Sequence, residues 1–187
     1  MINDEYKKIL RKYHKLSDRH ILVAEADMPY PDVLKVVALS DKIRKAGNEL
    51  VGLVRKNYEQ LMRTKRYRKL LFLYGNTEEK SKRKDLAVQL NGMQKSYNVT
   101  WDYCRTSMIS IGKKYGIDAI FALTKAEDIW RGMEKCLYGN GKTLHFSKHG
   151  DLTCIRAKQI NRGIPISVKD NKLQFKLGRT VFGIKVN

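Results

Sequence analysis

The hydrophobic period of this chain changes twice along its length, and that order restricts the possible folds more than any other feature. A strand-like run from His20 to Ala26 comes first, and Pro29 and Pro31 close it. A helical period then extends from about residue 32 to Gly139, after which strand-like alternation returns. Because a lone strand is unstable, the early strand needs partners from the late block. The sequence therefore predicts an α+β fold, in which a helical bundle is inserted into a small antiparallel β-barrel or sheet.

The same changes of period set the predicted domain boundaries. Residues 1–18 are expected to form an amphipathic N-terminal helix, and residues 31–138 the helical domain. Residues 19–30 and 139–187 are expected to form the β domain together.

Local signals predict several element limits. A Thr-x-x-Glu capping box at Thr124 predicts the start of the last helix, and Thr100 or Asn98 is expected to cap the helix before it. Hairpin turns are expected at residues 170–171 and 178–179. The predicted late strands are residues 143–146, 152–157, 164–168, 173–177 and 180–186.

The net charge is the strongest indication of a partner. The 187 residues include 38 Lys and Arg against 19 Asp and Glu, a formal charge of +19. A small soluble domain needs a net charge of only about 2 to 8. Such an excess destabilises a compact chain by self-repulsion, so a polyanion is the partner that explains it best.

Cysteine usage and hydropathy indicate a location. The three cysteines are widely spaced, with no C-x-x-C pair, which favours reduced thiols over a disulfide framework or a zinc ribbon. No apolar run approaches the roughly 20 residues of a membrane span, and the N-terminus does not resemble a signal peptide. We expect a soluble cytoplasmic protein with no membrane partner.

The string Gly141-Lys142-Thr143 matches the end of a phosphate-binding P-loop, G-x-x-x-x-G-K-[ST]. The first glycine of that motif would fall at position 136, which is Cys136. A P-loop also joins a strand to a helix, whereas here a helical pattern precedes the loop. We expect no nucleotide cofactor at this position.

Residues suited to catalysis are scarce. The four histidines lack an evident nucleophile partner, and His145 and His149 would share a face only on a helix, where residues four apart are neighbours. The aspartates occupy turn or cap positions, and no carboxylate pair indicates a two-metal centre. The sequence predicts a protein that is not an enzyme, with no catalytic residue, metal site or cofactor. A residual metal-dependent nuclease is the remaining catalytic alternative.

Clustered cations form the predicted nucleic-acid-binding set. The densest run, residues 63–69, surrounds Tyr67, a pattern suited to phosphate contacts beside an aromatic face for an unstacked base. Tyr138 is a second stacking candidate, and a solvated helix end is the alternative for any single cationic run. The predicted residues are Arg63, Lys65, Arg66, Tyr67, Arg68, Lys69, Lys82, Arg83, Lys84, Lys142, His145, Lys148, Arg156, Lys158 and Arg162.

One segment carries a family resemblance. The run IWRGMEKCLYGNGK, Ile129 to Lys142, continues into HFSKHGDL, His145 to Leu152. This segment resembles the middle of transposon-encoded TnpB proteins and type V CRISPR effectors. The resemblance implies a wedge β-barrel interrupted by a helical recognition lobe, the parts of that family that hold guide RNA and the target duplex. It also implies a backbone-contact role for Lys142, His145, Lys148 and Arg156.

The RuvC nuclease domain of that family would follow the wedge, and the sequence to Asn187 does not contain it. We therefore expect a non-catalytic protein that binds structured guide RNA, encoded by a bacterium or by a phage in a bacterial host. Target DNA and a CRISPR effector or nuclease protein are further candidate partners. The alternative is a phage-type anti-CRISPR or regulatory protein that captures guide RNA or mimics an effector lobe.

Overall fold

The computed structural model describes residues 28–139, 141–151, 155–156, 164–169, 172–177 and 180–185. The predicted N-terminal helix and the predicted strand at residues 20–26 lie outside these ranges. The same is true of Lys158 and Arg162, so the insertion of the bundle into the β domain stays a prediction.

Five helices and three strands make up the described part, which confirms the α+β class. The helices are α1 (Tyr30–Arg63), α2 (Lys65–Asn76), α3 (Lys80–Ser96), α4 (Trp101–Tyr115) and α5 (Ala119–Tyr138). The strands are β1 (Ile166–Lys169), β2 (Lys172–Leu177) and β3 (Thr180–Lys185).

Helix α1 is the scaffold of the bundle. Its 34 residues span about 50 Å, and its buried positions recur at helical spacing. Helix α4 runs antiparallel to it, since Glu49 accepts from Lys114 while Asn57 donates to the carbonyl of Asn98. Helix α5 runs parallel to α1. Lys125, in the first half of α5, covers Gly47 in the middle of α1, and Tyr58, further along α1, donates to the carbonyl of Cys136 near the end of α5. The C-terminal ends of α1 and α5 therefore lie at the same end of the bundle.

Helices α2 and α3 form an antiparallel hairpin beyond the end of α1. The buried amide of Gln94, near the end of α3, donates from Nε2 to Tyr67 Oη at 3.0 Å near the start of α2. At the opposite end of the hairpin, the guanidinium of Arg83 lies 4.7 Å from the ring centroid of Tyr74. The start of α2 is therefore joined to the bundle, and the start of α3 lies at the far tip.

The predicted helix limits hold in part. Thr100 caps α4 by accepting from the backbone N–H of Tyr103 at 3.2 Å. The prediction that Thr124 caps α5 is wrong. Helix α5 begins at Ala119, and its cap is Asp118, which accepts from the N–H of Ile120 at 3.0 Å. Thr124 lies inside the helix, and its hydroxyl donates to the carbonyl of Ile120.

The late strands form a three-stranded antiparallel sheet in the order β1-β2-β3. Lys169 pairs with Lys172, and Leu177 pairs with Thr180, so each connection has two residues, as the predicted hairpins require. The predicted strand at residues 143–146 is wrong, because that segment is not in a strand and pairs with none of the described strands. Of the predicted strand at 152–157, only residues 155 and 156 are described, and they are not in a strand.

The sheet covers the first part of α1. Leu177 and Phe182 are buried and, with Leu39, Ile117 and Phe121, line a cleft between the sheet, α1 and the α4–α5 turn. The rings of Phe182 and Phe175 stack at 5.1 Å between centroids. The sheet and the α2–α3 hairpin thus lie at opposite ends of α1. Within the described residues, no helix combines the length and the apolar character needed to cross a membrane.

Candidate nucleic-acid interface

The junction between α1 and α2 carries five exposed cations, which we call the elbow cations: Arg63, Lys65, Arg66, Arg68 and Lys69. Only Thr64, in an extended conformation, separates the two helices. Helix α2 contains no acidic residue, and none of the elbow cations forms an ion pair in the part of the chain that the structure describes. Their charge is therefore not neutralised within the described residues.

The start of α2 makes this charge more unfavourable. A helix N-terminus carries a partial positive charge that acidic residues normally offset. The first turn of α2 has no acidic residue, and Thr64 does not cap it, since its hydroxyl contacts Gln60 O and Tyr97 Oη instead. Lys65 and Arg66 are thus placed against the dipole. A phosphate from a partner would interact favourably with both.

The structure corrects the role predicted for Tyr67. Its side chain has no exposed surface, and its hydroxyl accepts from the buried amide of Gln94. Burial raises the pKa of this phenol, consistent with a neutral core residue. The ring cannot stack on an RNA base while the protein is folded.

The same buried amide joins the elbow to the end of α5. Tyr138 donates from its hydroxyl to Gln94 Oε1 at 2.8 Å, and its side chain remains 63% exposed. This contact places Tyr138 and the exposed Lys135 and Lys142 at the end of the bundle where the elbow lies. Lys95, in the last turn of α3, is exposed there too. We call the elbow cations, Lys95, Lys135, Tyr138 and Lys142 the bundle-end surface.

Lys95 and Lys135 were absent from the predicted set, and each is a single cation in the last turn of a helix. Such positions are favourable for a cation because of the helix dipole, so the sequence gives no reason to single them out. The contacts of Gln94 with Tyr67 and Tyr138, and of Thr64 with Tyr97, show that these helix ends meet.

The segment after α5, residues 141–151, is a return loop that runs back along α5 and α1. The backbone N–H of Gly141 donates to the carbonyl of Lys135 at 2.9 Å. Leu144 is buried against Gly132, where an added Cβ would lie 2.8 Å from its methyl group. Two hydrogen bonds then fix the loop, since Asn48 donates to Ser147 O and accepts from Ser147 N, both at 2.9 Å.

The glycine of the Gly-Lys-Thr string is explained by this close packing. A Cβ at Gly141 would lie 2.9 Å from the carbonyl carbon of Lys135 and 3.0 Å from the nitrogen of Cys136. We expect Gly141→Ala to lower the free energy of unfolding by about 1–3 kcal/mol, because backbone atoms must move apart. Urea unfolding followed by circular dichroism would measure the loss.

Gly92→Ala is the matched control for that substitution. Gly92 lies inside α3, and an added Cβ there meets no atom within 4 Å. An alanine at an open helical position should stabilise the protein by about 0.5–1 kcal/mol. Equal effects of the two substitutions would contradict the close approach at Gly141.

The return-loop residues of the predicted set are all exposed. Lys142 lies by the end of α5, whereas His145 and Lys148 follow further along the loop. The neighbouring Ser147 contacts Asn48, which lies 15 residues before Arg63, or about 22 Å along α1. These residues extend away from the bundle-end surface along one side of α1.

The remaining described members of the predicted set lie apart from the elbow. Lys82 forms an ion pair with Glu79 at 2.7 Å, and Arg83 lies over Tyr74, both at the tip of the α2–α3 hairpin. Lys84, next in sequence, is exposed. Arg156 is hydrogen-bonded to Asp128 on α5. The structure therefore divides the predicted set into the bundle-end surface, the return loop and these outlying positions.

The shifted pKa values of the described carboxylates and thiols have structural causes. Hydrogen bonds from Lys45 and Arg44 lower the pKa of Asp41 to about 2, and Lys114 and Tyr115 lower that of Glu49. Both groups are ionised at neutral pH and unsuited to proton transfer there. Burial raises the pKa of Cys104 to about 12, so its thiol stays protonated. Among the described residues, no group of three or more His, Cys, Asp or Glu is placed to hold a metal ion.

No protein-family model, curated protein or solved structure matches this chain. Its function is therefore inferred from its own residues and their geometry.

Proposed function

We propose that this chain is a non-catalytic nucleic-acid-binding protein that holds a structured RNA on its bundle-end surface. The observation that carries the proposal is the set of elbow cations, which are exposed and form no ion pairs in the described part of the chain. Four of the five lie on α2, a helix without acidic residues. A polyphosphate relieves both the mutual repulsion of these cations and the unfavourable placement of Lys65 and Arg66 at the N-terminus of α2.

The chemistry of the elbow fits the backbone of a nucleic acid. Arginine binds phosphate oxygens through two parallel N–H groups, and lysine binds them as a point charge. Arg63 ends α1, and Arg66 and Arg68 lie near the start of α2 together with Lys65 and Lys69, so several phosphates can be contacted at once. Binding then releases condensed counterions and gains affinity at low salt.

The RNA that we propose first is a guide RNA scaffold. The support for this choice is the resemblance of residues 129–142 and 145–152 to TnpB proteins and type V CRISPR effectors, together with the exposed cations of the return loop. Folded RNA is recognised mainly through shape, phosphates and 2′-hydroxyls, contacts that lysine and arginine can make.

Purification of the tagged protein from bacterial cells, followed by sequencing of the nucleic acid that remains bound, tests this proposal. We expect a structured RNA to copurify and to be lost after ribonuclease treatment. Recovery of an effector protein that survives nuclease treatment would favour the inhibitory alternative. Absence of any nucleic acid at low salt would contradict the proposal.

The proposal that the protein does not cleave nucleic acid has a separate test. Incubation of the purified protein with labelled RNA or DNA and Mg²⁺ or Mn²⁺ is expected to yield no cleavage products. A metal-dependent cleavage activity that copurifies with the protein through successive columns would contradict this prediction.

A further inference from the structure

Phe72 is an exposed aromatic residue on the cationic helix. Its side chain is 70% exposed, whereas its neighbours Leu71 and Tyr74 are partly buried against the hydrophobic core. Residues three and four apart share a helix face, so Phe72 lies beside Lys69 and Arg68. Single exposed apolar residues are common on protein surfaces. The position of Phe72 among cations that lack ion pairs is therefore the informative feature.

Two other exposed aromatic residues, Tyr138 and Phe146, have intramolecular contacts. Tyr138 is fixed through its hydroxyl by Gln94. Phe146 is half-exposed, and its ring lies over Gly52, where an added Cβ would be 3.9 Å away. The ring of Phe72 has no aromatic or cation–π contact within the described residues.

We propose that Phe72 stacks on an unpaired base of the bound nucleic acid while the elbow cations hold the adjacent phosphates. This inference rests on the proposed function and specifies the ligand further, as an RNA with a single-stranded segment next to its folded part. Proteins that bind single strands combine a cationic track with aromatic faces in this way. In this arrangement Phe72 takes the base-stacking role that the surrounding cations suggested for Tyr67.

Fluorescence anisotropy with two labelled RNAs tests the proposal. One is a hairpin with a single-stranded tail, and the other carries an abasic tail that keeps the phosphates and removes the bases. We expect Phe72→Ala to weaken binding of the first RNA about tenfold and to leave binding of the second unchanged. Phe72→Trp should retain the wild-type affinity for both RNAs.

Val88→Ala is the control, because Val88 is 64% exposed on the neighbouring helix α3 and is not aromatic. It should leave both affinities unchanged. Equal binding of the tailed hairpin by wild type and Phe72→Ala would overturn the stacking role while the proposed function stands. Failure of the wild-type protein to bind either RNA would overturn the proposed function itself.

Discussion

Replacement of the elbow cations Arg63, Lys65, Arg66, Arg68 and Lys69 by glutamine is expected to lower the affinity for a structured RNA about a hundredfold near physiological salt. Each side chain is exposed, so the fold should be retained. The loss follows from removing five charge-assisted contacts and the counterion release that accompanies them. Filter binding at several salt concentrations would measure it.

A variant with the same change in net charge provides the control. It replaces by glutamine five exposed lysines at the sheet end of the molecule: Lys35, Lys42, Lys45, Lys113 and Lys176. Lys42 lies 21 residues before Arg63, or about 30 Å along α1, beyond the Debye length of about 8 Å at physiological ionic strength. We expect this variant to lose only a few-fold in affinity. Equal losses of RNA affinity in the two variants would mean that binding depends on net charge alone, and would contradict a site at the elbow.

The second large effect is on stability. Tyr67→Ala is expected to lower the free energy of unfolding by about 3–5 kcal/mol, because it empties a fully buried aromatic position. It also removes the hydrogen bond to Gln94 that joins α2 to α3. Thermal and urea denaturation would measure the change.

Tyr67→Phe separates a core role from a binding role. It keeps the ring and removes the hydroxyl, which leaves Gln94 Nε2 without its acceptor at a cost of about 1–3 kcal/mol. Because the ring is buried, RNA affinity should stay at the wild-type value wherever the variant is folded. A folded Tyr67→Phe protein with impaired RNA binding would contradict the assignment of Tyr67 to the core.

Features set by local chemistry could be predicted from the sequence. The apolar period predicted a helical region over residues 31–138, Thr100 was one of two expected caps for α4, and the two-residue hairpins were placed correctly. Each of these depends on residues within a turn or two of one another. The α+β class followed from the order of the two periods.

Features that depend on distant contacts could not be predicted. Tyr67 is flanked by cations, but its burial depends on Gln94, which is 27 residues away. The alternation at residues 143–146 predicted a strand, but the segment belongs to none of the described strands. There the side chain of Leu144 packs against Gly132 on α5 instead of against a neighbouring strand. Alternation reports burial on one side of extended backbone and does not identify the covering element.

In the candidate site, too, some features could be predicted from the sequence and others depend on distant contacts. Composition and clustering identified the cations, but the sequence does not tell which of them share a surface. Gln94 contacts both Tyr67 and Tyr138, and this brings the elbow together with the end of α5. The outlying Lys82 and Arg156 look equivalent to the elbow cations in sequence, yet each has a carboxylate partner.

The dependence of wild-type RNA affinity on salt tests the central claim most directly. A protein that binds a structured RNA through the elbow cations should show a plot of log affinity against log salt concentration with a slope of about −3 to −5. A slope near zero, or no measurable affinity at low salt, would contradict the claim that this positive surface neutralises a nucleic-acid backbone.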